Sequence, residues 1–387
     1  MAHIPYGRQH VTDDDIAAVV QVLGSDWLTQ GPAVPRFERA VADACGARHA
    51  VAMSSATASL HIACLALGLG PGDRLWTSPI TFVASANAAR YCGAEVDFVD
   101  VDARSANLSP AALRRQLERA RAEGRLPRIV MPVHLAGQSC DMAAIHALGR
   151  EFGFHIIEDA SHAVGGRFEG APVGDCRYSD ITVFSFHPVK IITSAEGGMA
   201  LTQDDALAAR LALLRSHGIT REAAQMSRAP DGPWYYEQTA LGYNYRMTDL
   251  QAALGASQAQ RLAAYVARRT ELAQRYDALL EPLPLARPWQ DPRTQSAWHL
   301  YVVRVDAARR RAVFEALRAA DIGVNVHYIP VHTQPYYREH LAARGVRCDC
   351  PEAERYYAEC ISLPMYATLS VAEQDHVVRT LAAALAA

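Results

Sequence analysis

No stretch of this 387-residue chain approaches the roughly 20 uninterrupted apolar residues that span a bilayer. A membrane is therefore not an expected partner. The opening residues, Met1-Ala2-His3-Ile4-Pro5, lack the charged start and apolar core of a secretory signal, so a cytoplasmic location is expected. An excess of charge of one sign is also missing. The net charge is -3, and the basic residues are spread among Asp and Glu with no basic tract, which gives no reason to expect nucleic acid. Cysteine occurs without a framework. Eight are scattered, Cys348-Asp349-Cys350 is the only close pair, and no second pair stands near it to complete a zinc site. We therefore expect free thiols in a reducing compartment and no metal. Internal repeats and low-complexity tails are absent as well.

The remaining composition, 50% apolar and 20% charged, is that of an ordinary globular enzyme. At this length one small core is insufficient, and a large domain plus a smaller one is expected. Strand-like runs alternate with helix-like ones, which predicts an α/β domain with a mainly parallel sheet. Strands are expected at Leu75-Trp76-Thr77, Val96 to Val99, Ile129 to Val133, Phe154 to Ile157, Ile181 to Phe184 and Met199-Ala200-Leu201. Thr12 before three aspartates, and Ser109 before Pro110, read as helix starts. A long helix over Thr248 to about Leu280, broken only by Gly255, leads to a Pro-rich break at 281–288. Beyond it, strands at 298–303 and 324–328, a helix near 310–320 and a final helix capped by Ser370 predict a smaller C-terminal α+β domain. We place the first part at 1–250 and the second at 251–387.

Three features carry chemistry. Ser54-Ser55-Ala56-Thr57-Ala58 puts small residues at a helix start, where backbone N–H groups and the helix dipole favour an anion; taken alone, an ordinary cap is the better reading. The run Phe154-His155-Ile156-Ile157 ends in Glu158-Asp159, a carboxylate at the end of a buried strand. Lys190 follows Ile181 to Phe184 and stands among Phe186, Pro188, Val189, Ile191 and Ile192, where an ammonium is poorly hydrated and its pKa falls. In open α/β sheets ligands sit beyond the carboxyl ends of the strands, so all three can converge. An amine that condenses with an aldehyde, opposite a carboxylate that keeps a pyridine nitrogen protonated, suits pyridoxal 5'-phosphate.

The run Phe184 to Thr193, closed by Ala195-Glu196-Gly197-Gly198, resembles the lysine motif of the DegT-type nucleotide-sugar aminotransferases, which are fold-type I pyridoxal-phosphate enzymes. Ser55-Ala56-Thr57, Pro79 to Ala84, Glu158 to His162 and Gly242 to Met247 match further signatures, so the likeness covers nearly the whole chain. It implies that Lys190 anchors the cofactor and shuttles protons, and that Asp159 pairs with the pyridinium nitrogen. Phe82 would stack on the ring, and His162 would lie near its phenolic oxygen. Ser55, Ala56, Thr57 and Ser185 would bind the phosphate, and Asn244 would reach it from a second subunit, which implies a homodimer with shared active sites. Without the resemblance, Phe82 reads as a core aromatic, His162 as a bonded strand-end histidine and Asn244 as a turn residue.

Tyr6, Asp26, Trp27, Leu28 and Thr29, His187, and Asn325, Val326, His327 and Tyr328 would line the substrate pocket; packing between domains is the competing reading for each. The partners implied are L-glutamate as amino donor and a UDP-4-keto amino sugar as acceptor, with another 4-keto nucleotide sugar as the alternative. Sugar dehydratases of this fold resemble the family with histidine in place of the lysine, and Lys190 argues against them.

Overall fold

Short apolar and β-branched runs pair into a seven-stranded sheet in this computed structural model, which describes residues 3–387; Met1 and Ala2 of the N-terminal reading lie outside the described residues. The spatial order is His49–Met53, Gly198–Thr202, Ile181–Ser185, His155–Asp159, Ile129–Met131, Arg74–Thr77 and Glu95–Phe98. Every pairing from Ile181–Ser185 to Glu95–Phe98 is parallel. Gly198–Thr202 alone runs antiparallel to both its neighbours. Side chains alternate between two apolar layers. Leu75, Ile129, Met131 and Ile157 join one core cluster, while Trp76, Val130 and Ile156 face another. Strands covered on both faces are mostly apolar, which makes them legible as short apolar runs.

The C-terminal part is built on the antiparallel pair Tyr301–Arg304 with Cys360–Leu363, flanked by the helices Arg310–Ala319 and Val371–Ala386. Its core includes Leu272, Tyr276, Tyr301, Val303, Val313, Leu381 and also Ile4, so the start of the chain packs into the C-terminal cluster. Ser370 caps the last helix in a capping box with Glu373, as Thr12 does with Asp15 at the first.

Three expectations need correction. The helix over 248–280 is two helices, Asp249–Ala259 and Leu262–Leu280, and the break falls at 260–261 rather than at Gly255. Gly255 lies inside the first, where a Cβ would sit 2.6 Å from the Phe37 ring; it is a packing glycine, not a breaker. Residues 324–328 form no strand, since their ladder reduces to one bridge between Asn325 and Ser362. The strand expected from Trp298 begins only at Tyr301, because Trp298 adopts a φ of 50°.

Candidate active site

The carboxyl ends of the parallel strands open onto one cavity of about 670 Å³. Asp159, the last residue of its strand, lines it and is 4% exposed. Its carboxylate accepts three bonds: from Ser85 Oγ at 2.6 Å, Ser161 Oγ at 2.6 Å and the Ser161 N–H at 3.2 Å. Those donors hold a buried charge in one orientation. Glu158, one position earlier, is held elsewhere. His134 Nδ1 accepts the Cys140 N–H, so Nε2 carries the proton shared with Glu158 at 2.7 Å, and Thr182 Oγ1 adds a bond at 3.0 Å.

Lys190 sits in the loop between Ile181–Ser185 and Gly198–Thr202. Ser194 N–H donates to Phe186 O, Phe186 N–H to Gly197 O and Lys190 N–H to His187 O, each at 2.9 Å, which closes the loop on itself. Ile191 and Ile192, buried in the core, pin its far side. Burial lowers the Lys190 amine to about 8, against the opposing pull of Asp159. Lys190 is also the only lysine in the whole sequence, all other long basic side chains being arginine. That count is a signal sequence reading could have used and did not.

The helix Ala56–Ala66 points its N-terminus into the same cavity, with Ser55 as cap accepting the Ala58 N–H at 3.1 Å. Ser185 lines the cavity from the neighbouring strand end. A Cβ on Gly198 would overlap the backbone of Ser55 and Ala56, so a residue without a side chain lets the strand approach this helix start. The result is a concave nest of N–H groups suited to a phosphate.

In the same cavity, His162 Nδ1 accepts the Ala136 N–H at 3.2 Å, leaving Nε2 to donate to Tyr328 Oη at 3.1 Å. Burial, with Lys190 and His327 nearby, pushes His162 well below its usual range, so it is neutral. His299 packs against it at 4.3 Å between ring centroids and is likewise held neutral by burial. His327, bonded to Ser362 Oγ at 2.8 Å, is lowered by burial to about 4.

Of the residues singled out in the sequence, Ser55, Ala56, Thr57, Phe82, Asp159, His162, Ser185 and Lys190 line this one cavity, as do Tyr6, His187, Asn325, Val326, His327 and Tyr328. Asp26, Trp27, Leu28 and Thr29 do not; they form an exposed segment tied to the Asp249–Ala259 helix by a bond from the Asp249 N–H to Leu28 O. Asn244 is also exposed and outside the cavity, bridged to Ser216. Ser85, Ser161 and His299 were not singled out. Ser161, two residues after Asp159, carried a readable signal, since Asx-type turns use that offset. Ser85 and His299 come from distant segments and carried none.

These groups fit pyridoxal 5'-phosphate. The helix N-terminus could take the phosphate, the exposed ring of Phe82 could stack on the pyridine ring, the fixed carboxylate of Asp159 could meet the ring nitrogen, and the poised amine of Lys190 could meet the aldehyde. Comparison with known proteins agrees. The profile of the DegT/DnrJ/EryC1/StrS aminotransferase family matches residues 9–382. A Bacillus subtilis relative, spore coat polysaccharide biosynthesis protein SpsC, is 39% identical over 98% of this chain and 96% of its own. The fold superposes on Helicobacter pylori PseC, an aminotransferase involved in pseudaminic acid biosynthesis, with a TM-score of 0.90 at 27% identity over 99% of both chains. It matches the pyridoxal-phosphate form of the Streptococcus pneumoniae sugar aminotransferase Spr1654 with a TM-score of 0.87 at 27% identity, again over 99% of both. A poised lysine and a clamped aspartate in one cavity thus accompany a family match along the chain: it belongs to the DegT/DnrJ/EryC1/StrS aminotransferase family, and its cofactor is pyridoxal 5'-phosphate.

Proposed function

We propose that this protein transfers an amino group from L-glutamate to C4 of a UDP-4-keto-6-deoxy-N-acetylhexosamine, UDP-2-acetamido-2,6-dideoxy-beta-L-arabino-hex-4-ulose. The product would be UDP-4-amino-4,6-dideoxy-N-acetyl-beta-L-altrosamine, on the route to pseudaminic acid. The observation that carries the reading is one cavity holding Lys190, with its lowered pKa, together with Asp159 and the Ala56–Ala66 helix start. The likeness to PseC along the full chain supports the choice of acceptor.

When bound, the cofactor supplies an electrophilic aldehyde and a ring that withdraws electrons. The chain's residues do the rest. Asp159, fixed by Ser85 and Ser161, keeps the ring nitrogen protonated. Lys190 Nζ takes the proton from Cα of the amino donor and, in the second half-reaction, delivers one to C4 of the sugar. Neutral His162 and Tyr328, bonded to each other, hold a fixed polar wall of the same cavity. Tyr6, His187 and the 325–328 segment would contact the nucleotide sugar. A homodimer would bring Asn244 of one copy to the phosphate nest of the other, and Asp26 to Thr29 to the rim of that site. The exposed Trp234, Tyr236 and Leu241 in the stretch of chain before Asn244, with the exposed Trp27 and Leu28, support a buried interface.

A second reading, transfer to another 4-keto nucleotide sugar such as a UDP-4-keto-pentose or a dTDP-sugar, is favoured by the higher identity to SpsC, whose name places that relative in polysaccharide biosynthesis. The test incubates enzyme and L-glutamate with each 4-keto sugar and measures 2-oxoglutarate and aminated product. The UDP-N-acetylhexosamine should be converted fastest. Preference for a pentose or a dTDP-sugar would transfer the assignment to the second reading.

A further inference from the structure

The pair Cys348 and Cys350 stands just ahead of the Pro351–Glu359 helix, with no companion ligands nearby in sequence. Folding supplies one. His332, in the short turn Val331–Thr333, brings an imidazole nitrogen and both Sγ atoms within 4.8 Å of one another. The two sulfurs are 3.2 Å apart. His332 Nε2 is engaged by Glu354 Oε1 at 3.1 Å, which leaves Nδ1 free to ligate. That Nδ1 is buried and has no hydrogen-bond partner among the described residues, in a residue 7% exposed beside a Cys350 that is 2% exposed. An orphaned buried nitrogen is costly and calls for an explanation.

We propose that His332 Nδ1, Cys348 Sγ and Cys350 Sγ bind a thiophilic divalent cation of the zinc type, with a water as fourth ligand. Two thiolates and an imidazole are the donors such an ion selects, whereas magnesium and calcium take oxygen. Binding sends the two thiol protons to solvent, and two thiolates neutralise a doubly charged ion, so no net charge is buried. Tetrahedral geometry at a metal–sulfur distance of about 2.3 Å needs the sulfurs roughly 3.8 Å apart. A small rotation of Cys348, the one partly exposed ligand, supplies the difference. Glu354 on His332 Nε2 has the carboxylate–histidine relation that fixes the tautomer of a ligating imidazole. Cys348 also lines a cavity of about 260 Å³, which gives the ion an entry path and the fourth ligand its space.

The ion would clip together segments that matter to the active site. The turn holding His332 follows directly on His327 and Tyr328, and its Val331 N–H bonds to Pro79 O at 2.9 Å, three residues before Phe82. The helix on the other side docks on Asp100 through the N–H groups of Glu352 and Ala353.

The experiment uses reduced, cofactor-loaded full-length protein. Zinc retained after dialysis against a weak chelator is measured by elemental analysis, then exchanged for Co²⁺. Expected are about one metal per chain and the intense visible bands of tetrahedral, thiolate-bound cobalt. Cys348→Ser and Cys350→Ser should abolish both, and Glu354→Gln should weaken binding about 10- to 100-fold, all with the cofactor absorbance retained. If Cys350→Ser fails to fold, Cys348→Ser and Glu354→Gln, at more exposed positions, decide the matter. Absent tetrahedral bands in the wild type, equal metal content in the variants, or a mass two hydrogens lower from a Cys348–Cys350 disulfide in reductant-free protein that no added zinc prevents, would each overturn the proposal.

Discussion

At neutral pH an ordinary lysine is almost wholly protonated and a poor nucleophile, and burial in its cavity changes that for Lys190. Its pKa is lowered from 10.5 to about 8 by burial, with Asp159 pulling the other way. At pH 7 the free-amine fraction therefore rises from about 0.03% to about 9%, roughly 300-fold. The protein offers an unusually clean way to measure this, because Lys190 is its only lysine. Cofactor-free enzyme is pulsed with an amine-acylating reagent across pH 6 to 11, digested, and the label on the Lys190 peptide quantified, so that the N-terminal amine does not interfere. The labelling rate should level off with an inflection near 8. Asp159→Asn removes the charge that favours the ammonium, so its inflection should move lower. An inflection at 10 or above in the wild type, or an upward shift in Asp159→Asn, would refute the account of how this amine is activated.

Further outcomes are expected. Lys190→Ala leaves a chain without lysine, so borohydride should attach the cofactor to a single wild-type peptide and to none in the variant; sugar amination should fall by about 10²- to 10⁴-fold. A cofactor adduct elsewhere would displace Lys190 from its role. Gly255→Ala improves intrinsic helix propensity by about 1 kcal/mol but drives a methyl into Phe37, which is fully buried against Phe186 at 4.8 Å between ring centroids. Overpacking costs about 1–3 kcal/mol, so urea denaturation should show net destabilisation, and a gain would mean that the ring yields freely. His162, His299 and His327 are held neutral, with His327 lowered to about 4. Between that value and the unfolded histidine pKa of about 6.5 the unfolded chain binds more protons than the native one, so stability should fall as pH drops through this window. A melting temperature flat from pH 6.5 to 4.5 would contradict it, and His327→Gln should lessen the slope.

Much of this was legible without coordinates, and the reason is local. Buried parallel strands must be apolar on both faces, so Ile129–Met131 and Ile181–Ser185 announce themselves as runs. Helix caps reveal themselves by residue type, as at Thr12, Ser109 and Ser370. The carboxylate and the candidate phosphate-binding helix start were readable because one ends and the other begins a regular element, and the loop amine because it stands among apolar residues just after a buried strand. Tertiary structure alone decided what depends on residues far apart in the chain. It chose Ser85, 74 positions away, to clamp Asp159, and put Gly255 against Phe37 so that a supposed breaker became a contact. It turned 325–328, part of an expected strand, into a cavity wall, since only Asn325 finds a pairing partner. It also carried His332 to a cysteine pair that looked incomplete in the sequence. Element type follows from short-range sterics and periodicity, whereas which side chains meet depends on how the whole chain closes around its cores.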